Sequence, residues 1–126
     1  MKTKVCAAID AWADKIEALA QDIESEPELG FKETKTAAKV TAFLQQLGLE
    51  PQTGLALTGV KARAVSGRPG PTVAVLGELD AIGCPDSCKA DPLTGAAHAC
   101  GHNLQIATMA AAACGITQSG VLGELA

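Results

Sequence analysis

Apolar residues in the first part of the chain fall at Val5, Ile9, Trp12, Ile16, Leu19 and Ile23. Steps of three and four keep them on one face of a helix, with charged residues opposite. The pattern predicts one amphipathic helix of about five turns. ESEPELGF at 24–31 ends it, because Pro27 restricts Glu26 and Gly30 marks a turn. Thr34 or Thr36 then caps a second helix whose buried stripe is Val40, Phe43, Leu44 and Leu47. Gly48 stands where a helix C-terminus favours a left-handed residue.

The period then changes. Residues 59–67 alternate apolar and polar, as a half-buried strand does. RPGP at 68–71 makes a turn, and TVAVLGELDA at 72–81 is a nearly continuous apolar run that predicts a more buried strand. A long loop without periodicity follows over 83–102, a length that usually signals function or disorder. Asn103 is placed to cap a third helix, 104–115, whose small residues suit packing on a sheet. Residues 116–126 carry turn signals and no closing element. The order α-α-β-β-loop-α predicts an α/β fold. A sheet with so few strands leaves open edges, so the chain reads as the front part of something larger, and pairing of an exposed edge with a second copy is one way to cover it.

Composition narrows the class. At 48% hydrophobic and 19% charged the chain is globular, and 126 residues make about one domain. Trp12, Phe31 and Phe43 are the only aromatics, so the core is built from Ala, Val, Leu and Ile. A net charge of −4 gives no reason to expect nucleic acid or an anionic membrane as partner. No apolar run is long enough to span a bilayer, and Asp10, Asp14 and Lys15 interrupt any leader-like segment. Five scattered cysteines point to thiols or ligands in a reducing compartment, hence to the cytoplasm.

The chemistry concentrates in HACGHN at 98–103. His98 and Cys100 could be plain interior residues, since their flanks are rich in alanine. Gly101 shifts the balance, because it lets a thiolate and an imidazole turn toward one point. The cluster also precedes a helix N-terminus, whose dipole favours a thiolate. In GELDAIG, Glu78 and Asp80 are spaced i, i+2 and share one face of a strand. Carboxylates at the end of an apolar strand are costly unless they meet water, an imidazole or a metal. Glu78, Cys100, His102 and His98 are thus candidate metal donors, and Asp80 is a candidate ligand or orienter of a histidine.

PELGFKET at 27–34, GELDA at 77–81 and AAHACGHN at 96–103 resemble, in order and spacing, one family of hydrolases. It is metallopeptidase family twenty, which includes aminoacylases, hippurate hydrolase, auxin-conjugate hydrolases and p-aminobenzoyl-glutamate hydrolases. The resemblance covers nearly the whole chain. It implies the N-terminal portion of a co-catalytic zinc-exopeptidase-like catalytic domain, with helices packed on a small mixed sheet. It implies that Cys100 and His102 are metal ligands and that Asp80 orients a ligand without touching the metal. His98 matches the first histidine of the motif, with its role open. The implied reaction is hydrolysis of an N-acyl amino acid or related amide by metal-activated water, with zinc or manganese, two ions per complete site.

Three departures stand out. Glu78 replaces an aspartate common in the family, and Asn103 replaces an aspartate in a manner similar to the aminobenzoyl-glutamate branch. The family's catalytic glutamate, later ligands and lid domain are expected beyond residue 126, so residues 1–126 read as a truncated catalytic segment that is inactive alone. A second reading keeps Cys84, Cys88, Cys100 and His102 as four soft ligands of a structural zinc in a small binding module.

Overall fold

The computed structural model describes residues 1–125. Four helices carry the mass of the molecule: α1 (Lys2–Ala11), α2 (Ala13–Ser25), α3 (Thr34–Gln46) and α4 (His102–Gln118). Two small antiparallel strand pairs accompany them, which makes the fold an α/β mix. β1 (Gln52–Leu55) pairs with β2 (Gly59–Lys61), and β3 (Ile82–Gly83) pairs with β4 (Ala96–Ala97). A short 3-10 helix, Leu122–Glu124, follows α4.

The core is where three apolar stripes meet. Leu19 and Ile23 of α2, Val40, Phe43 and Leu44 of α3 with Leu47 beyond it, and Ile106, Ala110 and Cys114 of α4 form one buried cluster. Ile23 and Ile106 are completely buried, and each contributes about 1.5–3 kcal/mol through the apolar area removed from water. Trp12 closes one end edge-on against Phe43, with ring centroids 5.9 Å apart. Helix α4 lies at the centre because its Ala- and Gly-rich surface lets neighbours approach closely. At Gly115 an added Cβ would stand 2.8 Å from Val5 Cγ1, so α1 rests directly on α4.

The predicted first helix is two helices, divided at Trp12 (φ −110°, ψ 5°). The division lets Val5 and Ile9 face Gly115 of α4 while Trp12 faces Phe43 of α3. Helix α3 begins at Thr34, but neither Thr34 nor Thr36 caps it: Glu33 takes the N-cap position without a side-chain cap bond, and the start is held from a distance. The Glu28 carboxylate accepts from the backbone N–H of Thr36 at 2.8 Å and of Lys35 at 3.2 Å. This satisfies donors that a helix N-terminus leaves open and places an anion at its positive end. Gly48 is left-handed, φ +79°, as its position after the helix predicts.

The strands depart most from expectation. Only Gly59–Lys61 of the predicted strand 59–67 is paired. Of 72–81, a single parallel bridge between Leu29 and Ala81 forms, supported by the Ala81 N–H donating to the Glu28 carbonyl at 2.7 Å. Apolarity alone does not make a strand, because the ladder needs a partner strand to bond with. The expected loop 83–102 is not free of strands: β3 at its start pairs with β4 within it, Ile82 opposite Ala97 and Gly83 opposite Ala96. Asn103 does not cap α4. It lies buried inside the first turn and donates to the Ala20 carbonyl at 3.3 Å, while left-handed Gly101 occupies the capping position. The helix runs three residues past the predicted end at 115. Among the described residues no helix is long and apolar enough to cross a membrane.

Candidate metal centre

The site is built from the end of segment 77–81 and the turn that opens α4. Segment 77–81 is seated on the helix: a Cβ at Gly77 would touch Met109 Sδ at 3.5 Å and the Ile106 backbone at 3.7 Å. Leu79 packs against the core, which leaves Glu78 and Asp80 on the other face, as the i, i+2 spacing requires. The turn is closed by the Gly101 N–H donating to the His98 carbonyl at 3.0 Å. Gly101, at φ +81°, takes the sharp change of direction and then accepts from Leu104 and Gln105 as the helix begins.

His102 is the best-held side chain of the group. Its Nδ1 lies 2.8 Å from the Asp80 carbonyl oxygen and 3.1 Å from Asp80 Oδ1. Both neighbours are acceptors, so Nδ1 carries the proton and donates. Its Nε2 faces Glu78 Oε2 at 3.1 Å. Glu78 is steadied in turn by Gln105, whose Oε1 accepts the Glu78 N–H at 2.7 Å and whose amide approaches Oε2 at 3.4 Å.

His98 is in a different state. It is buried, and neither ring nitrogen has a hydrogen-bond partner among the described residues. An unpartnered buried nitrogen costs on the order of 1–3 kcal/mol. Burial pushes its pKa down, and the charge of His102 pushes the same way, against smaller opposing effects of Asp80 and Glu24. A neutral imidazole with an unused lone pair is what a metal ligand must be. Cys100, between the two histidines, is an exposed free thiol.

Sequence reasoning named Glu78, Asp80, His98, Cys100 and His102, and the structure brings Glu78, Asp80 and His102 into direct contact with His98 beside them. It does not draw three or more His, Cys, Asp or Glu side chains around a single point among the described residues. The same holds for Cys84, Cys88, Cys100 and His102, the donors of the alternative zinc module. The donor chemistry nevertheless fits a divalent metal: a thiol, an oriented imidazole, a carboxylate and an imidazole with no partner of its own. Gln105 was missed. Its signal was available, since it lies one helical turn after His102, on the same face.

Comparison with known proteins gives several relatives. The chain is 32% identical over 100 residues to thermostable carboxypeptidase 2 of Saccharolobus solfataricus, covering 76% of this chain and 25% of that protein. It is 30% identical over 105 residues to the N-acyl-L-amino acid amidohydrolase of Geobacillus stearothermophilus, covering 81% of this chain and 28% of that one. It is 31% identical over 106 residues to the IAA-amino acid hydrolase ILR1-like 6 of Arabidopsis thaliana, covering 82% of this chain and 22% of that protein. The chain therefore spans about a quarter of the length of the curated relatives it matches. No family model matches the chain, and no solved structure matches it.

Proposed function

The chain belongs to the family of amidohydrolases and carboxypeptidases that these relatives represent, and from that premise we propose that it forms part of a divalent-metal centre for amide hydrolysis. The substrates fitting this reading are N-acyl amino acids and aminobenzoyl-glutamate-type conjugates. The metal is zinc or manganese, with two ions in a complete site. The relatives' names support the reaction class, since they include an N-acyl-L-amino acid amidohydrolase and an IAA-amino acid hydrolase.

The observation that carries the reading is the orientation of His102. Asp80 holds the Nδ1 proton with two oxygens, and this directs Nε2 toward Glu78 with its lone pair free whenever a metal replaces the carboxylate contact. In this reading Cys100 and His102 are ligands, Asp80 is the orienting group, and Glu78 and His98 complete the donor set. Gln105 anchors the Glu78 backbone N–H and approaches its carboxylate at 3.4 Å, on the side of His102. A bound metal would supply Lewis acidity toward the amide carbonyl and lower the pKa of the attacking water.

The only two histidines in the sequence are His98 and His102, and both lie in this turn. A catalytic zinc takes about three protein ligands plus water, and a pair of ions needs more. The 126-residue chain by itself is therefore a metal-binding segment without appreciable hydrolase activity. Its five cysteines, all free thiols, support a cytoplasmic setting.

Cobalt(II) titration tests the reading. Thiolate-to-cobalt absorption is expected in the wild-type chain and absent from both Cys100→Ser and His102→Ala. Absorption that survives both substitutions would overturn it.

A further inference from the structure

The motif PELGFKET at 27–34 contributes nothing to the donor set, yet it is bonded to the centre through a single peptide group. The carbonyl of Asp80 and the N–H of Ala81 belong to one planar peptide unit, which is trans. Its two polar ends therefore point in opposite directions. On one side the carbonyl oxygen accepts the His102 Nδ1 proton, at 2.8 Å. On the other the N–H donates to the Glu28 carbonyl at 2.7 Å, beside the parallel bridge between Leu29 and Ala81. Ala81 is buried, so its N–H depends on this partner. Turning the plane moves both bonds at once, and hydrogen bonds in such a chain polarise one another.

The Glu28 carbonyl is fixed in turn by the Glu28 side chain. Its carboxylate accepts from the Thr36 N–H at 2.8 Å, the Thr36 hydroxyl at 3.0 Å and the Lys35 N–H at 3.2 Å, which pins residue 28 to the start of α3. The chain between them bends sharply. The Lys32 N–H donates to the Leu29 carbonyl at 3.0 Å, and Phe31 within the bend is left-handed, φ +63°. A bulky residue keeps that conformation only where its surroundings impose it. Glu33, itself buried, imposes it here: Oε1 accepts the Phe31 N–H at 2.9 Å and Oε2 accepts the Thr58 hydroxyl at 2.7 Å. Two carboxylates of one short motif thus hold one backbone carbonyl against residue 81.

We propose that Glu28 is a positioning residue of the metal centre, acting through the 80–81 peptide group to set the ring plane of His102 and the direction of Nε2. The inference rests on the reading of His102 as a ligand. The Asp80 carboxylate also meets Nδ1, at 3.1 Å, but its side chain is partly exposed and turns about its own bonds, whereas the carbonyl is held by the backbone.

Two readouts on the whole 126-residue chain test this, one of them without metal. The ring nitrogen-15 shifts of His102, read above neutral pH in the metal-free chain, should show the Nδ1–H form alone in the wild type. In Glu28→Ala the two ring shifts should move toward each other as the Nε2–H form appears, and the cobalt(II) Kd should rise roughly tenfold or more. Glu28→Gln keeps an oxygen for the Thr36 N–H and should restore both readouts most of the way. Gly115→Val, roughly 20 Å away along α4, also destabilises the fold but should leave both as in the wild type. Unchanged His102 shifts in Glu28→Ala would overturn the proposal. So would equal changes in Gly115→Val, or a Glu28→Gln chain as defective as Glu28→Ala. A wild-type chain that takes no cobalt would overturn the metal reading instead, and the ring shifts would still decide whether Glu28 sets His102.

Discussion

Gly101 sets the spacing between the two histidines. Its φ of +81° is a left-handed conformation, and nothing lies within 4 Å of where a Cβ would stand. The cost of a side chain there is therefore backbone strain alone. Gly101→Ala should lower stability by about 1–2 kcal/mol, measured by urea unfolding. Because the strain falls between Cys100 and His102, metal affinity should drop together with it. The residues of this turn were legible in the sequence because they are adjacent in the chain, and so was the shared face of Glu78 and Asp80. The contact of Gln105 with Glu78 was harder to read, since it depends on how the run ending in GELDA lies across α4.

At the scale of elements, two contacts hold the helices in place. Glu28 binds the start of α3 through two backbone N–H groups and the Thr36 hydroxyl. Glu28→Ala should cost about 1–2 kcal/mol, and Glu28→Gln less, because the amide oxygen still accepts while the charge at the helix end is lost. Gly115 is where α1 meets α4. Gly115→Val drives new methyl groups into Val5 and Ile9 and should destabilise by about 1–3 kcal/mol, with exchange of the α1 amides accelerating most. Helices were legible because their apolar stripes and end signals are local, as Val40, Phe43, Leu44 and Gly48 show. The division at Trp12 was not, because it answers to Phe43 and Gly115, far away in sequence. Nor was the fate of 72–81, whose apolar run reads as a buried strand while its pairing depends on a partner the sequence pattern does not name.

For the molecule as a whole, a surface ion-pair group gives stability a part that depends on acid. Hydrogen bonds from Lys39 and then Lys35 hold Glu26 down to about pKa 2 from its ordinary 4.5, and they tie the end of α2 to α3. The unfolded chain binds the proton more readily, so this stabilisation is complete above about pH 5 and disappears as pH falls toward 2. The thermal midpoint should decline through that window, and Glu26→Gln should decline less while starting lower at pH 7.

The relatives are hydrolases by name and the chain spans about a quarter of their length, and the central claim concerns the metal that its part of the site would hold. The most direct measurement is the metal content of the chain dialysed against buffered zinc, compared with His98→Ala, Cys100→Ser, His102→Ala and Cys84→Ser. The account predicts binding that is lost in Cys100→Ser and His102→Ala, weakened in His98→Ala and unchanged in Cys84→Ser. Binding that persists without His102, or that disappears equally with Cys84, would contradict it.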